Sequence, residues 1–488
     1  MSIRFLSIAL LSAASLAACS SGPDYVRPRI ELPAAFKESG PWKPAQPQLP
    51  DARQPWWEVF ADPDLNRLES EANGANQTLR QLEAVYRQAR AQVAIERSAF
   101  WPTAGLNASA SRGRSGTASS ATSAGNSFAL SLGASWEPDL WGSVARTVES
   151  ASASAEASAD DLAGARLSVQ TQLASDYLAL RVNDVLSDLY AETTAGYAKA
   201  LQLTQSQYRA GTVLHSDVAL AESTLKAAQA QAADLDATRA QLEHAIATLA
   251  GHPASTFDLP RRRMTLAQLR SSLPAIPVGV PSQLLERRPD VAAAERRAAA
   301  ANAAIGVAQA AFFPSLLLSA SGGGAGATLA RLFDTPGRVW SLGAALAQTV
   351  FDGGLRSARR DQAEAGLDAA AAAYKATVLS GLQQVEDNLA ILRVLDQEGV
   401  LQEDAVSSAQ VAEQSALRQY RGGTGTYLAV ITAQNLALTN ERTSAQILGR
   451  QLTAAVTLIT GLGGGWTATP VAHTGAAPAS TSAAAEIH

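Results

Sequence analysis

The chain states one pattern twice. Phe100-Trp101-Pro102 returns as Phe312-Phe313-Pro314, Leu180-Arg181 as Leu392-Arg393, and Gln207-Tyr208-Arg209-x-Gly211-Thr212 as Gln419-Tyr420-Arg421-x-Gly423-Thr424, each 212 residues later. Chance matches would drift in spacing, so a constant offset across three separated anchors means internal duplication. Both halves therefore share one architecture, and each pairs short strands with a very long helix.

In the first half, helical periodicity runs from about Asp62 to Ala99, with Leu65, Leu68, Ala72, Leu79 and Leu82 at three- and four-residue steps, until Trp101-Pro102 ends it. Period two then takes over. Ala104, Leu106, Ala108 and Ala110 alternate with Gly105, Asn107, Ser109 and Ser111. Beyond a Gly/Ser/Thr loop, Phe128, Leu130, Leu132, Ala134 and Trp136 alternate with small or polar residues. The second half repeats this with Leu316, Leu318 and Ala320, then Trp340, Leu342, Ala344 and Leu346. Strands are predicted near 103–111, 127–137, 314–322 and 339–350. A half-buried hairpin of a soluble sandwich also alternates. Repetition of the pair and the flanking aromatics Phe100, Trp101, Trp136, Trp141, Phe312, Phe313, Trp340 and Phe351 favour barrel strands, apolar toward lipid and polar toward a lumen.

Four strands cannot close, because a sheet that spans a membrane leaves no edge and the smallest barrels need about 8 strands. The chain must oligomerise: two copies would give a filled eight-stranded barrel, three a twelve-stranded one with room for water. After each hairpin comes a helix almost free of breakers, 143–207 and 354–419, each roughly 97 Å long at 1.5 Å per residue. Shorter helices at 215–250 and 427–461 complete the halves. Short helices stacked end to end match a long one, which predicts a long α-helical barrel hanging from the strands. The fold class is thus mainly α with a small β part. A fibrous coiled coil without a channel would leave the four strands without a role.

The first 18 residues carry Arg4 and an apolar run too short to span a bilayer, as in a secretory signal peptide. Leu16-Ala17-Ala18 before Cys19, the chain's one cysteine, resembles a bacterial lipobox, in which that thiol receives an S-diacylglycerol and the new N-terminus an acyl chain. Residues 19–61 are studded with proline and read as a lipidated, extended strap ending in Trp56, Trp57 and Phe60. Repeat one then spans 62–250, a connector 251–281, repeat two 282–466, and 467–488 is a tail of Ala, Ser, Thr, Pro and Gly expected to be disordered. A formal net charge of -5 without charge runs argues against nucleic acid as a partner.

Leu284-Leu285-Glu286-Arg287-Arg288-Pro289-Asp290-Val291, Ala301-Asn302-Ala303-Ala304-Ile305-Gly306-Val307-Ala308 and Ala311-Phe312-Phe313-Pro314 closely resemble the outer-membrane efflux lipoproteins of the NodT and OprM type, relatives of TolC. Pro23-Asp24-Tyr25-Val26-Arg27-Pro28, Trp56-Trp57-x-x-Phe60-x-Asp62-Pro63-x-Leu65 and Phe351-Asp352-Gly353-Gly354 extend the resemblance over nearly the whole mature chain. It implies an outer-membrane homotrimer with a twelve-stranded barrel and a periplasmic helical tunnel. It also implies docking to a periplasmic adaptor (membrane fusion protein) that links an inner-membrane transporter of the resistance-nodulation-division class.

The long helices must reverse at Tyr208, Arg209, Gly211 and Thr212, and again at Arg421, Gly423 and Thr424, where glycines supply positive φ. In the resembling family such tips form the aperture and meet the adaptor. By matching positions, Asp217 and Tyr420 are expected to share a hydrogen bond that keeps the aperture closed. Where TolC carries acidic residues this sequence has Ala429 and Thr432, and Gly425 replaces an arginine. A hydrophobic constriction at Tyr427 or Leu428, near Thr432, and weak cation selectivity from Asp217 are expected instead.

No enzyme reading holds. His215, His244, His252, His473 and His488 lack metal-ligand spacing. Gly422-Gly423-Thr424-Gly425 lacks the lysine of a phosphate loop, and no nucleophile sits near a base. A conduit needs no cofactor beyond the lipid on Cys19. The expected function is an exit duct for drugs or other small molecules. Its rivals are the same duct serving type I protein secretion, or a structural coiled-coil lipoprotein of the periplasm.

Overall fold

The computed structural model describes residues 21–38, 55–113, 124–274 and 287–464. The segment read as a signal peptide, Cys19, the tail 467–488 and parts of the strap and connector lie outside them. The first half comprises α1 (Pro63–Ala75), α2 (Gln77–Ser98), β1 (Thr103–Gly113), β2 (Gly125–Trp136), α3 (Ser143–Arg209) and α4 (His215–Leu249). After α5 (Leu266–Arg270), the second half has α6 (Pro289–Ala310), β3 (Ser315–Gly326), β4 (Arg338–Ala347), α7 (Leu355–Arg421) and α8 (Tyr427–Gly461). The duplication is exact to the residue in the helices: α2 and α6 have 22 residues, α3 and α7 have 67, α4 and α8 have 35, with every boundary offset by 212.

One continuous helix over 62–99 is not what forms. Asn76 is extended (φ -62°, ψ 125°) and divides it, because its side chain serves two other ends. Its Oδ1 accepts from the Leu79 N–H at 3.1 Å and starts α2, while its Nδ2 donates to Leu249 O at 2.9 Å and closes α4. The duplicate of this joint uses another residue: Arg288 Nη1 donates to Gly461 O at 3.0 Å, where α8 meets α6. The short helices α4 and α2, and likewise α8 and α6, therefore meet end to end alongside α3 and α7. At 1.5 Å per residue those long helices are roughly 100 Å each. Laterally, α3 lies between α4 and α8 in the lower half, and α8 lies between α3 and α7.

The four strands form one antiparallel sheet in the order β1-β2-β3-β4. Its register sorts most side chains by polarity, with exceptions such as Leu317 and Val339 on the polar face and Arg338 on the apolar face. Rows such as Leu106, Leu132, Gly322, Trp340 and Ala104, Ala134, Ala320, Leu342 make one face apolar. Thr103, Ser135, Ser319, Gly343 and Gly105, Gly133, Ser321, Ser341 make the other small and polar, with Thr103 Oγ1 to Ser135 Oγ at 2.9 Å and Ser321 Oγ to Ser341 Oγ at 2.8 Å. β1 and β2 each extend two residues further toward their loop than the sequence reading has it, and two boundaries differ more. β3 continues through Gly322-Gly323-Gly324 to Gly326, because a 3₁₀ turn at Leu329–Phe333 folds onto it so closely that a Cβ on Gly324 would lie 1.9 Å from Leu332 O. β4 ends at Ala347, short of 350. Among the described residues no helix is long and apolar enough to cross a membrane.

The main core sits at mid-height, where Trp56, Phe60, Leu65 and Leu68 pack on Leu173, Leu180, Ile246 and Leu452. Beside it a buried ionic hub ties the connector down. Asp184 accepts from Arg181 at 2.9 Å and Arg239 at 3.0 Å, Arg239 also donates to Leu259 O, and Glu243 accepts the Leu259 N–H at 2.6 Å. The strap runs outside the helices. Arg146 holds Ser21 O at 3.0 Å and Asp24 at 3.0 Å, Asn302 donates to Pro23 O, Glu386 accepts the Lys37 and Glu38 N–H groups, and Phe36 is buried against Val385 and Leu389.

Candidate functional site: the helical tips and the path above them

At the end of α3, Gly211 (φ 73°) turns the chain, the Gly211 N–H donates to Tyr208 O at 2.9 Å and the Thr212 N–H to Gln207 O at 3.0 Å. At the end of α7, Gly423 (φ 75°) does the same, with Gly423 N–H to Tyr420 O at 3.1 Å and Thr424 N–H to Gln419 O at 3.0 Å. Both are Schellman closures, in which a left-handed residue lets two N–H groups satisfy the last carbonyls. Glycine is required there because a Cβ disfavours positive φ. Thr212 and Thr424 add a hydroxyl bond to the same two carbonyls, and Arg209, Arg421 and both threonines stay exposed at the tips.

Between the hairpins lies a small core of Ala221, Tyr420, Tyr427, Val430 and Ile431, backed by Leu201 and Leu417. The expected Asp217–Tyr420 bond is absent. The Tyr420 hydroxyl donates to Gln207 Oε1 and lies 3.5 Å from Thr204 Oγ1, whereas Asp217 turns back onto its own helix, accepting the Leu214 N–H at 3.3 Å. A carboxylate three residues into a helix finds an unpaired N–H and a favourable dipole in its own first turn, which outcompetes a partner on another helix. The joint between hairpins is thus made of neutral groups. Gln207 opens the repeated Gln-Tyr-Arg-x-Gly-Thr motif but marks only the duplication there, and Thr204 belongs to no motif, so sequence reasoning gives neither a role in the joint.

Tyr427 is also placed differently from expectation. It is 5% exposed, its ring 5.4 Å from that of Tyr420, so it belongs to the joint and does not present its ring to an aperture. Burial, with Tyr420 and Asp217 nearby, pushes its phenol up to about 12, so it acts as a neutral group. Leu428 and Thr432, one turn apart, are exposed on α8 with Leu436. Higher up, α2, α3, α6 and α7 together enclose a concave cleft of about 610 Å³ beneath the sheet, lined by Glu96, Ser150, Ala304, Arg359 and other mostly small side chains.

Two stretches of the chain, 68–252 and 280–464, each match the family described as outer membrane efflux protein. The pyoverdine export outer membrane protein OpmQ of Pseudomonas putida is 34% identical over 464 residues, covering 93% of this chain and 96% of that protein. The toluene efflux pump outer membrane protein TtgF of Pseudomonas putida is 31% identical over 477 residues, covering 96% and 98%. Among solved structures, the outer-membrane channel OprN superposes with a TM-score of 0.84 at 30% identity, covering 92% of this chain and 100% of that one.

Proposed function

Because the chain belongs to the outer membrane efflux protein family, we propose that three copies form one exit channel of a tripartite efflux system. It carries drugs or other small molecules from a periplasmic adaptor and an inner-membrane, proton-driven pump to the outside. The observation that carries this reading is the open four-stranded sheet with one apolar face, fed directly into helices of roughly 100 Å. Among the described residues, the outer edges of β1 and β4 pair with nothing, and a membrane supplies no water to satisfy them. Closure against copies of itself turns four strands into a twelve-stranded barrel wide enough for a lumen. The flank of α7 supports this, since Leu379, Val394, Val400, Leu401 and Val411 lie exposed in a single chain and a neighbouring copy would cover them.

In this assembly the small polar face of the sheet lines the barrel and the cleft beneath it lines the upper tunnel. The joint at Gln207, Tyr420 and Tyr427 holds the hairpins of each copy together, and Leu428 and Thr432 narrow the aperture. The tip residues Tyr208, Arg209, Gly211, Thr212, Arg421, Gly423 and Thr424 meet the adaptor. The lipid on Cys19 anchors the strap in the membrane. That placement is supported by Ser21, whose N–H and hydroxyl both donate to Trp141 O beside the stacked rings of Trp141 and Phe313, since aromatics of this kind sit at the membrane boundary. No residue acts chemically on cargo, and energy comes from the pump. The native mass of the detergent-extracted protein tests the assembly: three chains per particle are expected, and a stable monomer without conductance in lipid bilayers would overturn it.

A further inference from the structure

The latch that joins the two hairpins of one chain exists in duplicate, but a single chain assembles it once. Within the chain, Tyr420 on α7 reaches across α8 to Gln207 on α3, and its ring packs 5.4 Å from Tyr427 at the start of α8. Shifted by 212 residues, Tyr420 becomes Tyr208, Tyr427 becomes His215 and Gln207 becomes Gln419. The shifted ring pair is formed as well, with Tyr208 and His215 at 5.5 Å, and the backbone around it has the same Schellman closure. What it lacks is the glutamine. Tyr208 is 44% exposed, against 7% for Tyr420, and among the described residues neither its hydroxyl nor the exposed Gln419 amide makes a hydrogen bond.

The lateral order α4, α3, α8, α7 puts the two unused pieces on opposite flanks, Tyr208 and His215 beside the free side of α4 and Gln419 on the free side of α7. A half-chain step around a closed ring replaces the series α3, α8, α7 by α7 of one copy followed by α4 and α3 of the next. We propose that Tyr208 of each copy donates its hydroxyl to the Gln419 side chain of the adjoining copy, with His215 packed where Tyr427 packs within the chain. The tip of the trimer then carries six latches of one design, three within chains and three between them. Of the residues that flank the intrachain latch, Ala200 becomes the exposed Ala412, and Thr204 becomes Ala416, which is partly buried against the intrachain joint. Thr204 has no hydroxyl counterpart, so the interchain latch has one polar partner where the intrachain latch has two. This inference rests on the trimeric reading above.

The test places one cysteine pair across each latch in the full-length, membrane-assembled protein and treats both with a short bifunctional maleimide. Tyr208→Cys with Gln419→Cys is expected to give covalent dimers and trimers on denaturing gels. Gln207→Cys with Tyr420→Cys is expected to link within the chain and migrate as a monomer. The single variants report any oligomer formed without a cysteine partner across the latch. If the first pair yields no covalent oligomer while the extracted protein keeps a three-chain native mass, the interchain latch is wrong and the trimer stands. If the native mass itself is not three chains, the trimeric reading fails first. Tyr208→Phe, which removes only the hydroxyl, adds a second readout: channel opening should rise severalfold, and no rise would also overturn the proposal.

Discussion

Replacing Tyr420 by phenylalanine isolates the joint between hairpins. The ring stays, so its packing against Tyr427 and Val430 is retained, and what is lost is the donation to Gln207 and the long 3.5 Å contact with Thr204 Oγ1. Gln207 is half-buried, so water can replace the phenol and no orphaned acceptor is left behind. A neutral hydrogen bond is worth about 0.5–1.5 kcal/mol, or about 2- to 13-fold in an equilibrium constant. If the three copies release together, the closed state loses about 1.5–4.5 kcal/mol, and the open-to-closed ratio rises by on the order of ten- to two-thousand-fold. Ready access of water to Gln207 places the expected value in the lower part of that span. Single-channel recording of the reconstituted protein measures the ratio directly. Asp217→Asn is the matched control, because asparagine keeps an acceptor for the Leu214 N–H and should leave opening unchanged. Opening that responds to Asp217→Asn and ignores Tyr420→Phe would refute the neutral-joint reasoning.

Other consequences are equally specific. Glu69 is fully buried, neither carboxylate oxygen has a partner among the described residues, and burial pushes its pKa up to about 9. The folded chain therefore keeps a proton that the unfolded chain releases above its ordinary value of 4.5. Stability should fall as pH rises from about 4.5 to about 9, by on the order of several kcal/mol, and thermal melts of Glu69→Gln should lose that slope. The duplicated arginines should carry unequal weight in denaturation. Arg181→Ala opens a buried ionic hub and should cost about 3–5 kcal/mol, whereas Arg393→Ala removes a half-exposed pair with Glu38 and should cost at most about 1 kcal/mol. Gly306→Ala would place a Cβ 2.7 Å from both Arg146 Cγ and Ser21 O, so trypsin should cut the strap after Arg29 in that variant faster than in the parent, with the helices still protected.

What the sequence made legible was whatever repeats or alternates. Gly211 and Gly423 mark the reversals because only glycine adopts that φ readily, and Leu106, Leu132, Leu318 and Leu342 declare one face of a sheet because strand periodicity is two. The helix break at Asn76 was hidden because the Leu65-to-Leu82 periodicity continues through it; the reason for the break, Leu249 O, lies 173 residues away. Gly322-Gly323-Gly324 reads as loop, since glycine disfavours strand, and is strand only because another backbone packs on it. The site was half legible. Matching positions with the resembling family singles out Tyr420, but its partner depends on which acceptor the fold brings closest, and Asp217 is already engaged with its own helix end. Tyr427 and Leu428 are adjacent in sequence and point to different sides of α8, one in the joint and one exposed. Only the packing of α8 on α3 and α7 decides which is which.

The central claim, export through a proton-driven assembly, is tested most directly by accumulation of a fluorescent efflux dye in cells with and without this gene, each with and without a proton uncoupler. Higher accumulation in the deletion, with the difference abolished by the uncoupler, is the result expected. Equal accumulation in both strains, across dyes that the same cells export by other routes, would contradict it.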